Sequence, residues 1–506
     1  MRKSSSSVIP AVLAPSAGQA ASLYRQLYNG IRDQVLRGHF APGQKMPSTR
    51  VLAADLGVSR NTVLNAFDQL KAEGYLEGLS GSGTYVARAL PDELTQAPTS
   101  RPTKPATLAS TPRLSAFGER VARLDHLRAR SIFVARPFQA GVSAIEQFPY
   151  DTWARITNRQ WKSRPSGLLP YSEAAGYLPL RRAVADYLRV ARAVRCDAEQ
   201  VIIVSGSQQA IDLSARLLLN PGDPVLVEDP AYSSARAPFE AASARLVPAA
   251  VDSSGINVAD AITNCVDARL IYTTPCNNFP LGSAMDAARR LELLDWAARS
   301  NARILEDDYD SEFRYSTRPL PALQSLDQTG SVIYFGTFSK VLFPALRLGY
   351  VVPPPDLIDE FIIAKSITDR HAPTVDQAVV AEFITEGHFA RHIRRMRALY
   401  LERLEEFVDC ARRSLPEDIT VPRPDAGMHA LALFPEGWDD CSVAKEAISA
   451  GISCSALSCS FMNRPQASLN VPKTAGLILG FAAYSVRQTR TAMKKLAAVV
   501  KLYSSG

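Results

Sequence analysis

The clearest pattern along the chain is an alternation of two kinds of hydrophobic spacing. Residues 201–204, 224–227, 269–272, 303–305 and 332–335 are short runs rich in apolar, β-branched and aromatic side chains. Runs of that length and make-up predict buried strands. Between them lie longer stretches in which apolar residues recur at helical spacing, as in the one carrying Leu213, Leu217 and Leu218 after the turn Ser205-Gly-Ser-Gln-Gln209. Strand, loop and helix repeated in this order predict an α/β domain over residues 131–506, with a mostly parallel sheet covered by helices on both faces. The stretch 471–502 is expected to belong to a small C-terminal subdomain.

The front of the chain has a different rhythm. Leu23, Leu27, Ile31 and Val35 fall every fourth residue, which predicts an amphipathic helix over 22–37, stopped by Gly38. Pro47-Ser-Thr-Arg50 opens a second short helix with Ser48 as N-cap, and Gly57 closes it. Ser59 caps a third helix over 60–73 whose core face carries Val63, Phe67 and Leu70. Residues 75–79 and 84–87, joined through Gly81-Ser-Gly83, read as a hairpin. Three helices followed by a hairpin predict a winged helix-turn-helix over 20–88. Its third helix enters the major groove of double-stranded DNA by the N-terminal end, where Arg60, Asn61 and Thr62 lie. Arg50 begins the second helix, and arginine either reads guanine bidentately or holds phosphate.

Composition narrows the picture without changing it. The chain has 506 residues, 46% hydrophobic and 21% charged, enough for two or three domains with real cores. A net charge of +7 is compatible with a nucleic-acid partner. Seven cysteines lack metal-ligand spacing. Cys454 and Cys459 are the only two close in sequence, and all seven are expected to be reduced thiols in a cytoplasmic protein. No apolar run reaches transmembrane length. Residues 1–19 carry small residues and a serine run but no secretory h-region, and read as a disordered leader. Residues 89–130 begin as a spacer rich in Pro, Ser, Thr and Ala and end in an arginine-rich stretch with helical spacing at Phe117, Val121 and Leu124.

Two stretches carry candidate chemistry. In Val332-Ile-Tyr-Phe-Gly-Thr-Phe-Ser-Lys340 a strand runs into Thr337, Ser339 and Lys340, with Arg347 following. Ligand sites of open α/β sheets lie just past such strand ends. A lysine there suits a Schiff base with an aldehyde cofactor once its amine is deprotonated. The two hydroxyls and the guanidinium suit the cofactor's phosphate. Upstream, Ile304-Leu-Glu-Asp-Asp-Tyr309 supplies Asp307 as the carboxylate that pyridoxal 5′-phosphate (PLP) needs at its ring nitrogen, and Tyr309 as a phenol beside the 3′-oxygen. The turn at Ser207 and Gln208 offers backbone N–H groups and a hydroxyl to the phosphate, although an ordinary capped helix would look the same.

The order and wording of these segments resemble the fold-type I aminotransferases. Glu306-Asp-Asp-Tyr-Asp-Ser-Glu-Phe313 and Gly336-Thr-Phe-Ser-Lys340 are similar to one branch of them, the MocR/GabR-type regulators of the GntR superfamily. Leu56-Gly-Val-Ser-Arg-Asn-Thr-Val63 and Gly81-Ser-Gly-Thr-Tyr-Val86 resemble the GntR-type DNA-binding domain. The resemblance implies DNA contacts at Arg50, Arg60, Thr62 and Gly81, and Tyr232 stacked on the pyridine ring. It places Asn277 or Asn278 near the 3′-oxygen, in a loop where the family usually has His and Gln; Asn278 is the one assigned here. It also implies a homodimer packed head to tail. One departure stands out. The family's C-terminal strand usually carries an arginine that grips a substrate carboxylate, and here Ile478 takes that place in Leu477-Ile-Leu-Gly-Phe481. Lys473, Arg487 and Arg490 are nearby substitutes in sequence. The expected function is a PLP-dependent transcriptional regulator that senses an amino acid, an amine or PLP. The alternative is a working aminotransferase that carries a DNA-binding domain.

Overall fold

The computed structural model describes residues 22–79, 82–91, 114–124, 136–163, 167–315, 320–462 and 475–503. The leader at 1–19, most of the spacer, Gly81 and Lys473 lie outside the described residues. Contacts divide the chain into two units, Met1–Arg113 and Leu114–Gly506. The division falls inside the stretch read as a spacer.

In the first unit, α1 (Leu23–Leu36), α2 (Thr49–Leu56) and α3 (Arg60–Ala72) precede a hairpin of β1 (Leu76–Leu79) and β2 (Gly83–Val86). The every-fourth-residue face of α1 is the buried one: Leu27, Ile31 and Val35 pack with Leu52, Val63, Phe67 and Leu70. Ser48 Oγ accepts from Val51 N at 3.3 Å and Ser59 Oγ from Thr62 N at 3.1 Å, so both predicted caps form. Gly57, at φ +64°, ends α2 in the left-handed conformation that a side chain disfavours. Leu76 pairs with Val86 and Leu79 with Gly83 across the hairpin.

The second unit opens with α4 (Ala116–Ala122), which realises the helical spacing around Phe117 and Val121. Its helices continue as α5 (Tyr150–Lys162), α6 (Leu178–Arg192), α7 (Ser207–Leu218), α8 (Ser233–Ala241), α9 (Val258–Asn264) and α10 (Ala287–Ser300). They end with α11 (Phe338–Val341), α12 (Ile358–Thr368), α13 (Thr374–Thr385), α14 (His388–Ser414), α15 (Asp440–Ser449) and α16 (Val486–Lys501). The large sheet contains β3 (Ile202–Val204), β4 (Pro224–Asp229), β5 (Arg245–Asp252), β6 (Gly255–Ile256), β7 (Leu270–Thr273), β8 (Arg303–Asp308), β9 (Val332–Thr337) and β10 (Gly349–Val352). Their order is β3-β10-β9-β8-β7-β4-β5-β6. Strands β5, β4, β7, β8 and β9 run parallel, while β10 is antiparallel to both β9 and β3. Separate apolar clusters, around Phe239 and Phe335 and around Trp296 and Leu293, line the two faces. A smaller sheet of β11 (His429–Leu433), β13 (Gly476–Gly480) and β12 (Ser455–Ala456), in that order, packs with α14 and α16 as the C-terminal subdomain.

Candidate cofactor site and DNA-reading helix

The carboxyl ends of β3, β4, β7, β8 and β9 open on one edge of the large sheet, and the predicted chemistry gathers there. Lys340 lies on the single turn α11 directly after β9. Its Nζ donates to the Gly141 carbonyl at 2.8 Å. Gly141 has φ +73°, the left-handed region that favours glycine, and Lys340 Nζ lies close against it. Ser143 Oγ donates to the Lys340 carbonyl at 2.6 Å, which fixes the lysine's backbone as well.

Period-two geometry sorts the acidic strand β8. Glu306 and Asp308 point to one face and Asp307 to the other. Asp308 is tied to Arg192 at 2.7 Å, with both side chains 3% exposed, and it accepts from Tyr334 at 2.6 Å. Glu306 accepts from the backbone N–H groups of Leu323 and Gln324. Asp307 is the one that faces the site. Its Oδ2 accepts from the Tyr272 hydroxyl at 2.7 Å, while Oδ1 is buried with no partner. Burial pushes its carboxyl up to about 7, against the opposing pull of the Tyr272 hydrogen bond. A buried acceptor without a donor is costly, and the protonated ring nitrogen of PLP is the donor that would satisfy it.

Tyr309 donates to the Asn277 carbonyl at 3.1 Å and accepts from Asn277 Nδ2 at 3.2 Å. Asn277 also donates to Asp310, at 2.9 Å. The amide beside the phenol is thus Asn277. Asn278 turns its Nδ2 to Glu228 at 2.9 Å and takes the Leu281 N–H on its oxygen, bracing β4 against the loop after β7. Glu228 also accepts from Thr273 and from Thr274.

The phosphate end has the expected parts. Gly206, at φ +93°, precedes Ser207 at the N-terminus of the twelve-residue α7. The Arg347 guanidinium packs on Gly206 and donates to the Ser205 carbonyl at 2.5 Å. Thr337 Oγ1 accepts from Ser339 N at 3.1 Å, and Ser339 Oγ is buried without a partner. A helix N-terminus, a guanidinium and an unused hydroxyl are the kinds of group an anion site needs. The Gln208 side chain is engaged elsewhere, its Nε2 donating to the Ser234 carbonyl at 3.1 Å, and the group it is expected to offer the anion is its backbone N–H. That bond ties α7 to the first turn of α8, where Tyr232 is the N-cap. Tyr232 meets Phe279 edge to face at 5.7 Å, and Phe279 lies 5.0 Å from His429.

Ile478 is 1% exposed and in register with Leu431. It shares a sheet face with His429 and Gly480, opposite the core residues Leu477 and Leu479. His429 hydrogen-bonds the Pro280 carbonyl at 2.9 Å, and burial pulls its imidazole below the usual range. Arg490 is committed to Glu406 on an exposed face, and Arg487 is exposed on the first turn of α16. Neither takes the missing arginine's place. Sequence reasoning missed Gly141, Ser143 and Tyr272. Only Tyr272 left a signal, a polar tip at the end of a predicted strand.

On the first unit, Ser48, Arg50, Ser59, Arg60 and Asn61 are exposed, and Thr62 is partly covered. They gather at the N-terminal ends of α2 and α3. The Ser59 and Thr62 hydroxyls are within 2.9 Å of each other.

Comparison with known proteins gives these two sites a context. Residues 23–86 match the model described as "Bacterial regulatory proteins, gntR family", and residues 143–460 match "Aminotransferase class I and II". Kynurenine aminotransferase of Pyrococcus horikoshii, solved with PMP, is 28% identical with a TM-score of 0.68, covering 79% of this chain and 98% of that one. The molecule is therefore a helix-turn-helix unit joined to an aminotransferase-like domain of fold-type I, whose cofactor is PLP. A Rhizobium meliloti protein named "Probable rhizopine catabolism regulatory protein MocR" is 41% identical over 96% of this chain and 95% of its own length. The pyridoxine biosynthesis regulator PdxR of Corynebacterium glutamicum is 31% identical over 89% and 91%. The chain belongs to the MocR-type family of GntR transcriptional regulators.

Proposed function

We propose that this chain is a PLP-dependent, DNA-binding regulator whose aminotransferase-like domain senses a small amine, an amino acid or PLP itself. The observation that carries the sensing role is the set of unsatisfied groups near Lys340, among them Asp307 Oδ1, Asn277 Oδ1 and Ser339 Oγ, in a chain that also bears a DNA-reading helix. PLP supplies an aldehyde carbon for amines and an electron-withdrawing ring. The chain's own residues do the rest. Lys340 gives up its contact with Gly141 and presents its amine. Asp307 holds the proton on the ring nitrogen, and Tyr309 with Asn277 orients the 3′-oxygen. Ser207, Thr337, Ser339 and Arg347 hold the phosphate, and Tyr232 packs the ring face.

In this reading residues 20–88 read the operator, 89–130 form a spacer and 131–506 form the sensor. The protein works in the cytoplasm as a head-to-tail homodimer, which matches two operator half-sites. No described helix is long and apolar enough to cross a membrane. The likeness to an aminotransferase over 79% of the chain keeps catalysis as a second reading. Ile478, apolar and buried where a carboxylate grip would sit, weighs against ordinary amino-acid transamination.

Lys340→Ala tests the sensor. It is expected to abolish borohydride-fixed PLP and the effector response while retaining operator binding in a mobility-shift titration. Loss of operator binding with it would defeat the modular reading. Steady multiple turnovers of the unaltered protein with an amino acid and a keto acid would establish the enzyme instead.

A further inference from the structure

The two cysteines close in sequence, Cys454 and Cys459, are not the two that meet. Cys459 Sγ lies 3.4 Å from Cys441 Sγ, eighteen residues away in the chain. Cys459 is exposed and Cys441 half-buried, whereas the other five cysteines are buried. Burial also raises the Cys454 thiol to about 12 and the Cys196 thiol to about 11, which keeps both inert at neutral pH. A disulfide is about 2.05 Å long, so closure needs the sulfurs to approach by only a little over 1 Å.

The surroundings say what such a bond would act on. Cys441 is in the first turn of α15, next to Asp440. The Asp440 carboxylate accepts from Ser458 N at 2.9 Å, Ser458 Oγ at 2.5 Å and Gly476 N at 3.0 Å, which docks the short turn Leu457–Ser460 onto α15. Cys459 is part of that turn. Just beyond it, the Ser460 carbonyl accepts from Ala231 N at 3.3 Å, and Met462 N donates to Asp229 Oδ1 at 2.8 Å. The same few residues that carry one sulfur therefore hold the loop at 229–232, which ends in Tyr232.

We propose that Cys441 and Cys459 are a redox pair that a peroxide closes into an intramolecular disulfide, and that the bond is transmitted through Ser460 and Met462 to the Tyr232 loop. The chemistry balances with hydrogen peroxide as oxidant. One cysteine sulfur attacks a peroxide oxygen, breaking the O–O bond to give a sulfenic acid and one water. The other sulfur then displaces the hydroxyl, which leaves with a proton as the second water. Two thiols are oxidised by one electron each, the two peroxide oxygens are reduced by one each, and a dithiol reductant reverses the change.

The test uses the full chain loaded with PLP and treated with limiting hydrogen peroxide. Free thiols, counted after unfolding, should fall from seven to five. The mass should drop by two hydrogens, one peptide pair should join Cys441 to Cys459, and a dithiol should restore the starting state. The visible circular dichroism of the bound cofactor should change with oxidation. Cys441→Ser and Cys459→Ser should each prevent the disulfide and the spectral change while still binding PLP. A thiol count that stays at seven, oxidation of Cys459 alone to a sulfinic acid, or a bond only between two chains would overturn the pair. A Cys441–Cys459 disulfide with an unchanged cofactor spectrum would overturn its connection to the site.

Discussion

At the scale of single residues, the tandem acids show what one dimension conceals. Asp307 and Asp308 are chemically identical neighbours; the sequence assigns Asp307 to the ring nitrogen, and the folded strand supplies the physical reason. Once β8 exists, its pleat sends Asp307 to the site and Asp308 to Arg192. Asn277 and Asn278 pose the same problem in a loop, where no period helps, and only the folded chain shows which amide meets Tyr309. Ser339 leads to a direct prediction. Its hydroxyl is buried without a partner, and hydrogen bonds to charged groups contribute about 1.5–3 kcal/mol. Ser339→Ala is therefore expected to weaken PLP binding roughly 10- to 100-fold, measured by fluorescence titration, with no comparable loss of melting temperature. Arg60→Ala should cost about 1–3 kcal/mol on specific DNA and less on random DNA, by anisotropy titration.

At the scale of elements, most of what positions the site was legible. The helix period of α1, the glycine stop after α2 and the serine caps of α2 and α3 are local physics, and they appear where the sequence puts them. Strands β3, β4, β7, β8 and β9 were visible as short apolar runs. Strand β10 was not, because Gly349-Tyr-Val-Val352 follows an irregular turn and joins the sheet antiparallel, a pairing decided by distant residues. The pairing of Gly141 with Lys340, 199 residues apart, was likewise beyond any local signal. Strand β8 and the turn after it also imply a pH dependence. Burial raises Glu306 and Asp307 to about 7 and Asp310 to about 8. Raised carboxyl values mean that the folded state binds protons the unfolded chain has already released, so stability falls as pH rises through this range. Buried His392 and His429 have lowered values and oppose this only at more acidic pH. Cofactor-free protein should therefore melt at a lower temperature near pH 8.5 than near pH 6.5, and Asp310→Asn should flatten the slope, by scanning calorimetry.

At the scale of the whole molecule, the two units bring different physics to one chain. DNA affinity should fall steeply with salt, because each phosphate contact releases counterions, and the logarithmic slope should lessen by about one when a phosphate-contacting arginine is lost. The proposed dimer predicts twice the chain's 55.0 kDa by sedimentation. It also predicts a two-part operator whose halves are spaced by about 34 Å or a multiple of it. A monomer at micromolar concentration would leave the half-site geometry without a basis.

The stretch that enters the sensor from the front of the chain is sewn directly to its reactive centre. Gly480 N is bonded to the Phe138 carbonyl, Lys340 Nζ to that of Gly141, and Ser143 Oγ to the Lys340 carbonyl. When the amine turns to a carbonyl compound, the first main-chain group to lose its donor is on this incoming thread. The carbonyl released is thus on the segment that precedes α5 in the chain, and not on the large sheet.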